Sequence, residues 1–243
     1  LGAALAGLGG PPAMLEAFAA PLQVSENILY NPGMNYIYFL GLGLLPAVLQ
    51  LFVCMSVCYA LLWDVKTRRA KDLRFGFRYR PYIVSAGRVG FYVGGYFAIF
   101  VLLLGMIILF FKTPVEGSLL RTLCGGAAFI YLTACTGLLI AGCTNNLRFS
   151  LSLCAIYAAP AFAYFGVSFP VQSMPLLARV WAELMSGTHL NRIFVNELLR
   201  GSNAGGTWLE IGFMLAVGTL FFILGTKGYA RWVKHDKYLG PQL

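Results

Sequence analysis

Long apolar runs separated by short polar segments form the main pattern along this chain of 243 residues. A helix needs about 20 apolar residues to cross roughly 30 Å of hydrocarbon, and five runs reach that length. They predict membrane spans over residues 36–63, 89–111, 119–143, 149–167 and 208–229. The pattern therefore predicts an all-α integral membrane protein, a bundle of about five transmembrane helices.

Composition supports a membrane protein, because 59% of residues are hydrophobic and only 11% are charged, against about 25% charged in soluble domains. The net charge of +9 is confined to loops beside the spans. It therefore indicates anionic lipid and topology, and we expect no nucleic-acid partner. All six cysteines lie in apolar runs, which favours buried, packed thiols over a metal site.

The positive charges are unevenly distributed between the two sides. Eight of the 18 Lys and Arg residues lie within residues 64–88, and alternating the loops places 13 on one side and five on the other. The positive-inside rule then predicts an exterior N-terminus and a cytoplasmic C-terminus. The expected location is a bacterial cytoplasmic (inner) membrane. Residues 1–35 are expected to end an extracytoplasmic domain, with residues 36–243 as the transmembrane domain. An odd number of spans with an exterior start leads us to expect a preceding first helix.

The segment between the fourth and fifth spans is too polar to cross a membrane and too apolar for an ordinary loop. Its amphipathic part, residues 176–199, predicts two short re-entrant or interfacial helices before the last span. Within it, His189 is expected to fix the turn, an interpretation favoured over a role as a metal or cofactor ligand.

Motifs for catalysis are absent from the sequence. It contains no Walker A motif, dinucleotide fingerprint, HExxH pair or GxSxG elbow. Ionisable residues deep in the spans are nearly absent, which disfavours a proton-coupled carrier or an embedded hydrolase. Two interpretations of the basic segment remain open: topological charge beside anionic headgroups, or a coupling helix that docks on a cytoplasmic motor.

Three stretches of the chain carry short motifs. They are Tyr30-Asn31-Pro32 with Phe39 to Pro46, Ser168-Phe169-Pro170 with Met174-Pro175, and Thr188-His189-Leu190 with Asn196 to Gly201. Together they resemble ABC-2-type transporter permeases, in the family's order and spacing. The first resembles the family's entry into its second helix, the second its segment after the fifth helix, and the third its approach to the last helix.

The resemblance implies a six-helix permease half, of which this chain would supply helices two to six. It implies pairing with a second permease half, identical or different, and with separate ATPase subunits that carry Mg-ATP. No cofactor and no enzymatic activity are then expected on this chain itself. The residues implied for coupling to the ATPase, within the segment 64–88, are Asp64, Lys66, Arg68, Arg69 and Lys71; those implied for the exterior gate are Phe169, Pro170, Thr188 and His189.

The sequence therefore supports two candidate functions. The first is an export permease that alternates access when an ATPase dimer closes beneath it. The alternative is a membrane scaffold that anchors a soluble complex through its basic loop, without an ATP-dependent conformational change. A membrane-embedded lipid enzyme is less favoured, because it would need His, Asp or Glu clustered at the interface and the chain has only two histidines.

Overall fold

The computed structural model describes residues 36–67, 75–166, 171–201 and 204–234, and every regular element among them is helical. The α-helices are α1 (Tyr36–Lys66), α2 (Pro81–Phe111), α3 (Leu119–Cys143), α4 (Leu147–Ala158), α5 (Ala161–Tyr164), α6 (Leu176–Leu184), α7 (Ser186–Phe194) and α8 (Ala204–Lys234). A short helical segment at residues 75–79 precedes α2, a 3₁₀ turn at Val171–Ser173 precedes α6, and a π-helical segment, Val195–Arg200, follows α7.

Five helical stretches of the described chain are long and apolar enough to cross a membrane, which confirms the predicted bundle. α1, α2, α3 and α8 each supply one, and α4 and α5 together supply the fourth in the chain, Leu147–Tyr164. Pro160 caps α5 and separates it from α4, because proline lacks the N–H that a continuous helix needs.

Two helices extend beyond their apolar runs. α2 begins at Pro81, eight residues before the predicted span, and α8 runs from Ala204 to Lys234. Pro81 suits the first helical position, since its φ is already helical and its missing N–H has no partner there. At 1.5 Å per residue, 31 residues measure about 46 Å, more than the hydrocarbon thickness. Both helices therefore continue into the polar segments that flank their apolar runs, and hydropathy alone does not reveal this.

α3 is the central helix and packs against α1, α2, α7 and α8. Its contacts with α8 are made at glycines, where the backbones approach closely. A Cβ at Gly225 of α8 would lie 2.8 Å from the backbone nitrogen of Leu139, and a Cβ at Gly142 of α3 would lie 2.5 Å from the carbonyl oxygen of Gly225. A side chain at either glycine would separate the two helices.

α2 lies at the periphery of the described bundle. Only 17% of its most apolar window is buried, against 67% for α3. Its outward face carries Phe91, Leu102, Leu109 and Phe110, all exposed by more than 70%. Such a face suits lipid or another membrane protein.

α6 and α7 form a helical hairpin that turns at Met185, and we refer to residues 176–194 as the hairpin. This confirms the predicted pair of short helices before the last span. Eight of the nine residues of α7 are buried, whereas α6 exposes Leu176, Leu177 and Val180. The second arm of the hairpin thus lies inside the bundle and the first lies at its surface.

Candidate functional site

The tip of the hairpin is held by buried polar contacts with α1 and α3. The Gln50 side-chain oxygen accepts hydrogen bonds from the Ser186 hydroxyl at 3.0 Å and the Gly187 backbone N–H at 2.9 Å. The hydroxyls of Ser186 and Thr133 are 2.7 Å apart. We call Gln50, Thr133 and Ser186 the tip cluster; all three are fully buried. Because Gln50 lies near the middle of α1, the hairpin tip reaches deep into the bundle.

The Gln50 amide is only partly satisfied. Its nitrogen is buried and has no hydrogen-bond partner among the described residues. A buried donor without a partner costs roughly 1–3 kcal/mol, so such groups are rare in stable packing. The tip cluster is therefore held by specific contacts and also contains a group that would gain from rearrangement.

Charged side chains join the outer part of the hairpin to the start of α8. His189 Nδ1 lies 2.5 Å from Glu210 Oε2, and Nε2 lies 3.0 Å from the carbonyl oxygen of Glu183, so both ring nitrogens face oxygen acceptors. The His189 ring also packs on Phe213, with centroids 4.7 Å apart. Arg192 donates to both Glu183 and Glu210. We call His189, Arg192, Glu183 and Glu210 the charged cluster.

The charged cluster is only partly exposed. Arg192 donates hydrogen bonds to Glu183, and these raise the pKa of Arg192, although burial acts in the opposite direction. The side chain of Glu210 is 21% exposed and that of His189 3% exposed. Charges with little access to water interact more strongly than surface pairs. The cluster therefore joins α7 to α8 through Glu210.

A buried carboxylate anchors the π-helical segment. Glu197 accepts from Arg121 Nε at 2.8 Å, from the Ser118 backbone N–H at 2.9 Å and from the Thr207 hydroxyl at 2.6 Å. Burial raises the pKa of Glu197, but these hydrogen bonds outweigh burial and lower it to about 2. Glu197 thus ties the segment after the hairpin to the start of α3 and to α8.

Gly201 ends this segment in the left-handed conformation, with φ of 61°. A Cβ at this position would lie 2.7 Å from the carbonyl oxygen of Glu116. A glycine is needed here for both its φ and its space. This explains the glycine that closes the third family-like stretch.

A polar pocket of about 400 Å³ lies beside the charged cluster, between the hairpin and α8. Asn191, which lines it, donates to the carbonyl oxygen of Phe165 at 3.1 Å. Among the described residues, no group of three or more His, Cys, Asp or Glu side chains could hold a metal ion. The pocket suits a polar or charged ligand and is lined by Gln172, Asn191, Arg192, Asn196, Arg200 and Glu210, among others.

The structure places two of the four predicted gate residues in this region. Thr188 is buried and donates to the carbonyl oxygen of Ala182 at 2.6 Å, while His189 belongs to the charged cluster. Phe169 and Pro170 lie outside the described residues. Their role at the exterior gate stays a prediction.

Two of the five predicted coupling residues are also described. Asp64 is buried and forms an ion pair with Arg88 of α2; its carboxylate therefore joins α1 to α2. Lys66 is half-buried in the last turn of α1. Arg68, Arg69 and Lys71 lie outside the described residues, so their contact with an ATPase stays a prediction.

The connection between α1 and α2 also contacts α8. Phe77, in the helical segment 75–79, is fully buried and packs edge-to-face on Tyr229, with centroids 5.2 Å apart. The Tyr229 hydroxyl donates to the carbonyl oxygen of Leu61 at 2.8 Å. A displacement of this connection would therefore reach α1 and α8 directly.

Sequence reasoning did not identify Gln50, Arg121 or Glu197 as members of a site. Glu197 was named only as part of a family-like stretch, and its partner Arg121 lies 76 residues earlier. One feature of the sequence does point to Gln50. It is an amide in the middle of an apolar run, where polar side chains usually have a specific role.

Comparison with known proteins gives one match. The family described as ABC-2 family transporter protein matches residues 3–227. No curated protein and no solved structure matches the chain.

Proposed function

The chain belongs to the ABC-2 family of transporter proteins, and we propose that it forms half of the translocation path of an ATP-driven exporter. Membership makes it an integral membrane permease component of an ABC transporter, a class that associates with ABC ATPases and dimerises. Export as the direction of transport, and ATP hydrolysis on separate subunits that carry Mg-ATP, are our proposals.

The buried contacts of the hairpin tip are the observation that supports its proposed role as a gate. The hairpin is not a span, yet its tip is fixed by Gln50 and Thr133 inside the bundle. The hairpin is short, and its polar contacts can be exchanged for another set when neighbouring elements move. The hairpin would therefore close the exterior end of the path and move when the path opens outward.

The connection between α1 and α2 would receive the force from the ATPase. Its described part contacts α8 through Phe77 and Tyr229, and α1 is joined to α2 by Asp64 and Arg88. Movement at residues 64–80 would then displace three spans together. In this proposal Asp64 transmits movement inside the bundle, while Lys66, Arg68, Arg69 and Lys71 face the ATPase.

The proposed orientation follows from charge. With 13 of the 18 Lys and Arg residues on the side of the α1–α2 connection, that side would be cytoplasmic and the hairpin exterior. We propose a bacterial inner membrane, with the C-terminus in the cytoplasm.

Charge reversal in the connection tests the coupling. The chain would be co-expressed with a candidate ABC ATPase from the same organism, and ATP hydrolysis by the purified complex would be measured in lipid nanodiscs. We expect the double variant Arg68→Glu/Arg69→Glu to lose the ATPase from the complex or its stimulated hydrolysis. Glu116→Arg, which reverses an exposed charge in the loop before α3 at the other end of the bundle, is the matched control and should leave both unchanged.

The result also distinguishes the export permease from the membrane scaffold. A scaffold would bind its soluble partner with no ATP-dependent conformational change. If the double variant retains the partner and the full hydrolysis rate, the coupling role of this segment is wrong. If no ATPase binds and the chain remains active alone, the exporter proposal is wrong.

A further inference from the structure

A second pocket, of about 390 Å³, lies at the opposite end of the bundle from the hairpin, where α1 ends and α2 begins. Its volume falls within the roughly 300–1,000 Å³ typical of small-molecule sites. We call it the interfacial pocket. Its lining includes Tyr59, Trp63 and Asp64 on α1 and Arg88 and Phe91 on α2.

The interfacial pocket presents both signs of charge. Asp64 and Arg88 form an ion pair through one carboxylate oxygen and Nη1 of the guanidinium. A guanidinium carries five N–H donors, so pairing with Asp64 leaves donors for a second acceptor. A ligand with a single charge would be attracted by one of these groups and repelled by the other. A ligand that carries both a cation and an anion would be attracted by both.

Two aromatic rings add a surface for a cation. Tyr59 and Trp63 lie one helical turn apart and stack, with centroids 5.7 Å apart and planes 16° from parallel. Tyr59 is 44% and Trp63 50% exposed, so their outer faces are accessible. Cations bind within about 6 Å of such a ring centroid. Phe91, which is 77% exposed, extends the apolar surface toward α2.

The position of the pocket indicates a ligand from the membrane. α1 ends at Lys66, so Tyr59 is about 10 Å from the end of the helix at 1.5 Å per residue. Tyrosine and tryptophan favour this depth, where headgroups meet hydrocarbon. An exposed phenylalanine beside an ion pair suits a molecule with a charged head and an apolar tail.

We propose that the interfacial pocket binds the headgroup of a phospholipid of the phosphoethanolamine class. The phosphate would accept hydrogen bonds from Arg88, and the primary ammonium would lie over Tyr59 and Trp63 and donate to Asp64. A choline headgroup has a cation that cannot donate hydrogen bonds, and a glycerol headgroup has no cation. Neither would use all of these groups. This site goes beyond the proposed transport cycle and does not depend on it.

Lipid titration of the purified full chain in detergent tests the proposal, with bound lipid counted by native mass spectrometry. The probes are dioleoyl phosphatidylethanolamine, phosphatidylcholine and phosphatidylglycerol. We expect the ethanolamine lipid to bind most tightly and Trp63→Leu to weaken it about fivefold, the effect of one cation–π contact. Trp63→Phe, which keeps a ring, should retain most of the affinity, and Asp64→Asn should abolish the preference over the choline lipid.

Trp208→Leu is the matched control, since Trp208 is 51% exposed and lies at the hairpin end of the bundle. It should leave the affinity for the ethanolamine lipid unchanged. Equal affinity for the three lipids would overturn the proposal, as would equal weakening in Trp63→Leu and Trp208→Leu. Soluble phosphoethanolamine is the last probe. If it binds as tightly as the lipid, the ligand comes from solution and the lipid assignment is wrong.

Discussion

At the residue scale, buried polar side chains determine how the hairpin region is held. Glu197 and the tip cluster each connect elements that lie far apart in the chain, such as Gln50 with Ser186 across 136 residues. Sequence pattern identified Thr188 and His189 because they lie in a family-like stretch. It could not pair Glu197 with Arg121, because periodicity shows which face of a helix is buried and not which distant side chain it meets.

Glu197 gives a prediction for the dependence of stability on pH. Its pKa is about 2 in the folded chain against an ordinary value of 4.5, so its contribution is complete above pH 4.5 and is lost as the pH falls toward 2. Glu197→Gln should therefore lower the stability by about 2 kcal/mol at pH 7, since hydrogen bonds to a charged group are worth roughly 1.5–3 kcal/mol. It should also flatten the pH dependence between 4.5 and 2.

Thermal unfolding in detergent at pH 7, 5 and 3 measures both effects. Glu116→Gln, in the loop that precedes α3, serves as the control and should retain the slope of the unchanged chain. A Glu197→Gln variant that loses stability with falling pH as steeply as the unchanged chain would show that this carboxylate does not carry the effect.

At the scale of elements, hydropathy predicted which segments are helices and which two are too short to span. It did not predict the early start of α2 at Pro81 or the break before Pro160. These depend on where backbone hydrogen bonds can continue, and apolar runs carry no information about that. The close approach of α3 and α8 also could not be assigned, since glycines on α2 with similar spacing face open space in the described bundle.

Two glycines give a matched test of the α3–α8 packing. Gly225→Ala should lower the unfolding temperature, because its Cβ would lie 2.8 Å from the backbone of α3 and would separate the helices. Gly94→Ala on α2 meets nothing within 4 Å, and alanine favours helix by up to about 1 kcal/mol. It should leave the temperature unchanged or raise it. Equal losses in the two variants would contradict the packing described for α3 and α8.

At the scale of the whole molecule, the two ends of the bundle differ in chemistry. One end holds the hairpin, with its tip cluster, charged cluster and polar pocket. The other holds the α1–α2 connection, with Phe77 against Tyr229 and the interfacial pocket. Between them run α1, α3 and α8, with α3 packed against both of the others. The proposed transport cycle therefore requires the hairpin to change its contacts when ATP is used at the far end.

A reversible crosslink at the hairpin tip tests this requirement. The hydroxyls of Thr133 and Ser186 are 2.7 Å apart, so cysteines at both positions would bring two sulfur atoms close together once the six native cysteines are replaced by alanine. Formation of the disulfide is measured before the assay, since it also depends on the distance between the two Cβ atoms. The control pair is Thr144→Cys with Ser150→Cys, whose hydroxyls are in contact and which joins the end of α3 to α4 without touching the hairpin.

The measurement is ATP hydrolysis by the complex with its ATPase, before and after oxidation. If the hairpin must move, oxidation of the Thr133→Cys/Ser186→Cys pair should reduce hydrolysis to the background rate, reductant should restore it, and the control pair should have no effect. Undiminished hydrolysis with the hairpin disulfide fully formed would show that the hairpin does not move during the ATPase cycle.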